Sequence, residues 1–162
     1  DFNHVDIDNS MTPIETVNND TISGQVQFYS QAFGSRGVIE IPGLSNIPST
    51  AVIHKAILEL PISYQDGNEY SPGFDISVAT RLDDGTDNLY SVNVNGVFDG
   101  FRKSFRIDLR AYVQAIVNKS VPNSGLIVAP LLHNTTSDRI IFNGPNTTNK
   151  NKPKISILYT EF

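Results

Sequence analysis

The chain contains no cysteine and no tryptophan, a single methionine, and only 18% charged residues. Without cysteine there is no disulfide, no thiolate zinc site and no thiol nucleophile. Without tryptophan, the broadest side chain for stacking on a sugar ring is missing. Twelve lysines and arginines stand against seventeen acidic residues, a net charge of −5. That balance argues against a nucleic-acid partner, because phosphate binding leans on clustered cations. No apolar run approaches the roughly 18 residues that read as a membrane-spanning helix. The opening residues DFNHVDIDNS carry neither a basic n-region nor an apolar h-region. They are not a signal peptide, and the chain reads as a processed product or a piece of a longer one.

What is present is a turn-rich globular composition. Apolar residues make up 39%, with sixteen asparagines, nine prolines and eleven glycines. At 162 residues the length suits one domain that buries about 70% of its unfolded surface. Residues 1–24 read as a linker or edge segment, and residues 25–162 as the domain.

Within that domain the apolar period is two. QVQFY places Val26 and Phe28 on one face, and GVIEI stops at Pro42-Gly43. AVIHKAILELPI (51–62) puts Val52, His54, Ala56, Leu58, Leu60 and Ile62 on one apolar face, and Pro61 marks a strand end at an edge or bulge. FDISVATR, YSVNV and SFRIDL continue the alternation, the last with Phe105, Ile107 and Leu109 inward. Asp-Gly and Asn-Gly pairs at DDGTDN, Asn95-Gly96 and Asp99-Gly100 read as turns. GLIVAPLL is a continuous apolar run, which predicts a well-covered strand. DRIIF and KISILY close the chain with Ile140, Phe142, Ile155, Ile157 and Tyr159 inward. One helix is predicted over 108–118, from Leu109, Tyr112, Val113, Ile116 and Val117 at helical spacing, with Asp108 as cap and Pro122 beyond. About eight strands and one short helix predict an antiparallel β-sandwich of jelly-roll type.

Catalytic chemistry finds little footing. The three histidines, His4, His54 and His133, have no triad or metal spacing, and neither G-x-S-x-G nor H-E-x-x-H occurs. The reading is linker for His4, a satisfied strand histidine for His54, and a solvated loop for His133. The carboxylates Glu59, Glu69, Asp75 and Asp108 are candidates for paired acid–base work, but each has a plain structural reading as strand, turn or cap residue. No enzyme and no cofactor are expected. Asp83, Asp84, Asp87 and Asn88 gather oxygen donors in one loop, yet Gly85 comes early and no glutamate follows where an EF-hand requires it. A solvated Asp-Gly turn accounts for that loop. Arg81, Arg102, Lys103 and Arg106, with Tyr90 or Phe101 as a stacking surface, form the one plausible ligand-binding set, suited to an acidic glycan. Pairing of those cations with Asp99 and Asp108 is the competing reading. Four N-x-S/T sequons begin at Asn19, Asn118, Asn134 and Asn146, and they matter only on a eukaryotic secretory route.

Several segments together resemble a group of exported Bacteroidota domains. GVIEIPGL followed by AVIHKAILELPI is similar to that group's short strand into "iPgL" and its following strand. FRIDLRAYVQAIVNKSVPNSGLIVAP is similar to its helix and glycine-led apolar strand, and NKNKPKISILYTEF to its closing strand. The same order occurs in DNRLRE-type jelly-roll domains, some of which are carbohydrate-binding modules on alginate lyases. The closest likeness is to the C-terminal part of an uncharacterised Bacteroidota surface-lipoprotein family, over residues 25 to 162. Where the DNRLRE pattern carries tryptophan late in the helix, this chain has Ala115 and Ile116. The resemblance implies export, a cell-surface or outer-membrane setting, and a lipid anchor on residues outside this chain. The expectation is therefore a non-catalytic surface domain that scaffolds other envelope proteins, with binding of an acidic polysaccharide as the alternative.

Overall fold

A computed structural model describes residues 8–63, 72–81 and 90–162, for 90–93 the backbone alone. Two short helices come first: α1 (Pro13–Asn19) and α2 (Thr21–Val26). Nine strands follow among the described residues: β1 (Gln27–Gln31), β2 (Gly37–Ile39), β3 (Val52–Pro61), β4 (Asp75–Thr80), β5 (Tyr90–Asp99), β6 (Ser104–Asp108), β7 (Leu126–Pro130), β8 (Arg139–Asn143) and β9 (Lys154–Thr160). A 3-10 turn, Pro42–Asn46, precedes β3, and helix α3 (Arg110–Val117) separates β6 from β7.

Every strand pair is antiparallel. Seven strands form one sheet in the order β2-β7-β4-β5-β6-β3-β9, and β1 with β8 forms a second. The antiparallel sandwich expected from the period-two pattern is therefore the fold, with its strands divided seven and two. Between the layers, Phe28 stacks on Phe142 at 4.9 Å and Phe142 meets Phe105 at 5.9 Å. The rest of the inner face is closed by α3, whose Tyr112, Val113 and Val117 join Leu44, Leu58, Leu60, Ile76, Val78 and Leu126 in one apolar cluster.

Much of the local reading holds. Phe105, Ile107 and Leu109 are fully buried while Arg106 and Asp108 are exposed. All five residues of β7 are buried. Asp108 takes the Arg110 N–H on its Oδ1 at 2.9 Å, so it caps α3 from one residue before the N-cap position. Pro61 lies past the last β3–β9 pair, where its missing donor costs no ladder bond.

Other readings are corrected. His54 does not lie on the apolar face. It is the extra residue of a β-bulge: Ile53 pairs with Tyr159 and Lys55 with Leu158. One inserted residue reverses strand parity, so Ile53 is buried while Val52 and His54 face solvent, and His54 Nε2 lies 2.8 Å from Thr160 Oγ1. Tyr159 is exposed and Ile155 and Ile157 are half-buried, because β9 is an edge strand. Asn95-Gly96 is not a turn. It lies inside β5, where Gly96 sits between Ile76 and Ile107 on the neighbouring strands, and a Cβ there would fall 2.7 Å from Ile76. Glycine in a strand marks this kind of close approach as readily as a turn.

The described part of the expected linker, residues 8–24, is helical rather than extended. Thr12 accepts from the Glu15 N–H while Glu15 Oε2 accepts from Met11 N–H at 2.7 Å, a capping-box arrangement. Asp20 accepts from Ile22 N–H, Ser23 N–H and Ser23 Oγ–H, and these bonds hold its carboxyl below the ordinary carboxylate range. Val26 ends α2 and is not a strand residue.

Two stability results are expected from this architecture. Leu58→Ala should cost about 2–5 kcal/mol, as deletions in a closed core do. Ile157→Ala, at the half-covered edge, should cost roughly half as much, because less area is withdrawn from water there. Chemical denaturation of both variants checks the ratio. Tyr112 is buried under α3 with its hydroxyl donating to the Gly125 carbonyl at 3.4 Å. Burial pushes its phenol up to about 12. Below pH 10 the phenol is neutral in both folded and unfolded chains and stability is unaffected. Above pH 10 the unfolded phenol ionises first, so stability falls by roughly 2–3 kcal/mol as pH rises to about 12. Alkaline denaturation of Tyr112→Phe should show that extra loss removed.

Candidate functional site

The binding set expected from sequence is split by the fold. Arg102, Lys103, Arg106 and Phe101 lie at or beside the β5–β6 turn. Arg81 follows β4 and Tyr90 begins β5, paired with Thr80, at the other end of the sheet. Nine strand steps separate Tyr90 from Asp99, roughly 30 Å. Arg81 contacts Glu40 at 3.7 Å and takes no part in the other cluster. The Tyr90 side chain, Glu69 and the loop donors Asp83, Asp84, Asp87 and Asn88 fall outside the described residues, as does His4.

Nor do the remaining cations make an open basic groove. Glu59 Oε1 receives Arg102 at 3.2 Å and Arg106 at 3.7 Å, and Asp99 Oδ2 takes Arg102 at 3.7 Å. Two guanidiniums thus meet two carboxylates on the solvent face of the sheet. Exposed pairs of this kind contribute about 0–1 kcal/mol each, but they cancel the local field an acidic ligand would feel. Glu59 stands on the solvent face of the sheet and Asp108 caps a helix. Among the described residues, no three His, Asp or Glu gather in a way that could hold a metal ion, and no helix is long and apolar enough to cross a membrane.

The structure instead assembles a feature that alternation patterns do not reveal. At the end of the sheet where Phe101 sits, successive loops each project an apolar side chain. Phe101 is 97% exposed, Phe74 81%, Phe33 64% and Leu132 58%, with Leu131 beside them. The strands behind these loops, β5, β4, β7 and β2, are immediate neighbours, so the projections follow one another in that order along one end of the sheet. Backbone bonds tie the row together: Phe98 N–H to Phe74 O at 2.9 Å, Leu131 N–H to Asp75 O at 3.2 Å, and Phe33 N–H to His133 O at 2.8 Å.

Phe101 and Leu132 are held by their own local hydrogen bonds. Asp99 Oδ1 accepts from both Phe101 N–H and Arg102 N–H at 3.0 Å, which locks the turn and aims the ring outward. The Leu132 carbonyl accepts from the N–H groups and hydroxyls of Thr135 and Thr136. Phe33 has φ of +59°, a left-handed conformation that costs a bulky residue about 1–2 kcal/mol. His133, expected in solvent, is half-buried in this rim, and its Nδ1 is buried without a hydrogen-bond partner among the described residues.

The sequence signal for this rim was slight: single apolar residues inside turn-rich loops, each ordinary alone. Adjacency makes them a patch, and adjacency depends on strand order. No family model, curated protein or solved structure matches the chain.

Proposed function

We propose that the chain is a non-catalytic docking domain of an exported, cell-surface assembly, binding a protein partner through the rim of Phe33, Phe74, Phe101, Leu131 and Leu132. The observation that carries this reading is the row of exposed apolar side chains at one end of the sheet. Water-exposed rings gain by being covered, and for Phe101 the turn bonded to Asp99 lowers the ordering cost. Aromatic anchors are the residues that carry most binding energy at protein interfaces. The neutralised cations favour a protein surface over an acidic polymer. The surface setting rests on the family resemblance of residues 25–162.

The test compares the wild-type chain with Phe74→Ser/Phe101→Ser in affinity capture from envelope extracts, followed by titration with the recovered partner. Both positions are exposed, so the variant should melt within about 2 °C of wild type. Loss of two anchors should weaken binding by about 30-fold or more. Equal capture by both chains would sink the reading. One observation favours the glycan alternative: the ring of Phe101, next in sequence to Arg102, is open to solvent. Calorimetric titration with alginate and neutral glycans decides it. Heat with alginate that fades with salt and vanishes in Phe101→Ala would replace the protein partner with a polysaccharide, since exposed charges are screened within about 8–10 Å.

A further inference from the structure

The two edges of the seven-stranded sheet are built differently. Edge β2 is three residues long and runs into Pro42. Edge β9 is seven residues long, KISILYT, with no proline inside it and one charge, Lys154, at its start. Among the described residues its strand partner is β3 alone. Leu158 on its outer face is 61% exposed and Tyr159 on its inner face is also exposed, while Ile155 and Ile157 are half covered. A long, apolar, unguarded edge of this kind is a template for another strand.

We infer that β9 pairs antiparallel with β9 of a second copy of this chain, across a two-fold axis at Ile157, joining two seven-stranded sheets into one. Charge chooses the direction. Lys150, Lys152 and Lys154 lie at or before the start of β9 and Glu161 follows its end. Antiparallel pairing sets the lysine end of each strand beside the partner's Glu161, whereas parallel pairing stacks lysine on lysine. The pleat chooses the register. Centred on Ile157, the inner face matches Ile155 with the partner's Tyr159 and Ile157 with the partner's Ile157. The outer face matches Ser156 with the partner's Leu158. A slip of one residue would set inner side chains against outer ones. This pairing covers the half-exposed isoleucines that β3 leaves open and opposes no like charges. It is independent of the apolar rim, which lies on the loops at one end of the sheet.

Sedimentation of the chain over a range of about 5–500 µM tests the pairing, with expected growth of a dimer as concentration rises. Leu158→Lys/Tyr159→Lys changes two exposed side chains and adds charge diagonal to the partner's Lys154. It should keep the far-UV spectrum and melting temperature and shift the dissociation constant at least tenfold. The absence of cysteine permits a register test. Ser156→Cys and Leu158→Cys, both surface changes, should cross-link when mixed and oxidised, well beyond either alone or a Val38→Cys control on β2. A monomer throughout the concentration range, a dimer unaffected by the two lysines, or cross-linking no better than the Val38→Cys control would each overturn the inference.

Discussion

Phe142→Ala is expected to destabilise the chain by about 3–5 kcal/mol, the range for an aromatic removed from a closed core. Phe142 is fully buried, and it is the ring through which the small sheet grips the large one. It stacks on Phe28 within its own sheet and touches Phe105 across the core, and its backbone forms the bridge to Ile62 as the chain leaves β3. The lost ring leaves a cavity that neither sheet can close by itself, because β8 is fixed on one side by β1 and on the other by that bridge. With total stability of 5–15 kcal/mol typical of domains, a fall in melting temperature of roughly 10 °C should follow. A thermal scan showing a drop under about 3 °C would mean that the two layers are held elsewhere.

Gly144→Ala should be nearly as damaging, at about 3 kcal/mol, for the opposite reason. Here the fault is an atom too many. A Cβ on Gly144 would collide with the carbonyl group of Gln25 and stand 2.9 Å from the carbonyl carbon of Val26. The obstruction is backbone, so no rotamer change relieves it. The approach exists because Gly144 N–H donates to Val26 O and Asn146 N–H to Gln25 O, both at 2.8 Å. Those bonds close the end of the β1–β8 sheet over the C-terminus of α2. Hydrogen exchange should show protection lost first along Gln27–Gln31. Gly43→Ala, where a Cβ would meet nothing within 4 Å, is the control expected to be near neutral.

How far each element was legible follows from the range of the forces that shape it. The strand SFRIDL, the buried run LIVAP and the apolar stripe of α3 were read correctly because periodicity records which face meets the core, and the core is one body. The helix caps at Thr12 and Asp20 are also written in the chain, as T-x-x-E and D-x-x-S, but the segment has too few apolar residues to give its helices a period. His54 was misplaced because a bulge is an agreement between two strands. Nothing in VIHKA announces that one residue will be skipped when β9 pairs beside it.

By itself, then, the sequence determined the class of fold, the inward faces of β6, β8 and of β3 past its bulge, and the absence of any cysteine chemistry, all of which depend on composition and on neighbours two to four positions away. The tertiary structure alone decided which loops share an end. Strand order placed Arg81 about 30 Å from Arg102, neutralised Arg102 and Arg106 against Glu59, and drew Phe33, Phe74, Phe101, Leu131 and Leu132 from distant segments into one row. Strand order also put the seven residues of β9 at the edge of the sheet that the described residues form. Such juxtapositions arise from hydrogen-bonded pairing between segments up to about a hundred residues apart, as between β1 and β8, and pairing at that range leaves no periodic trace in either segment.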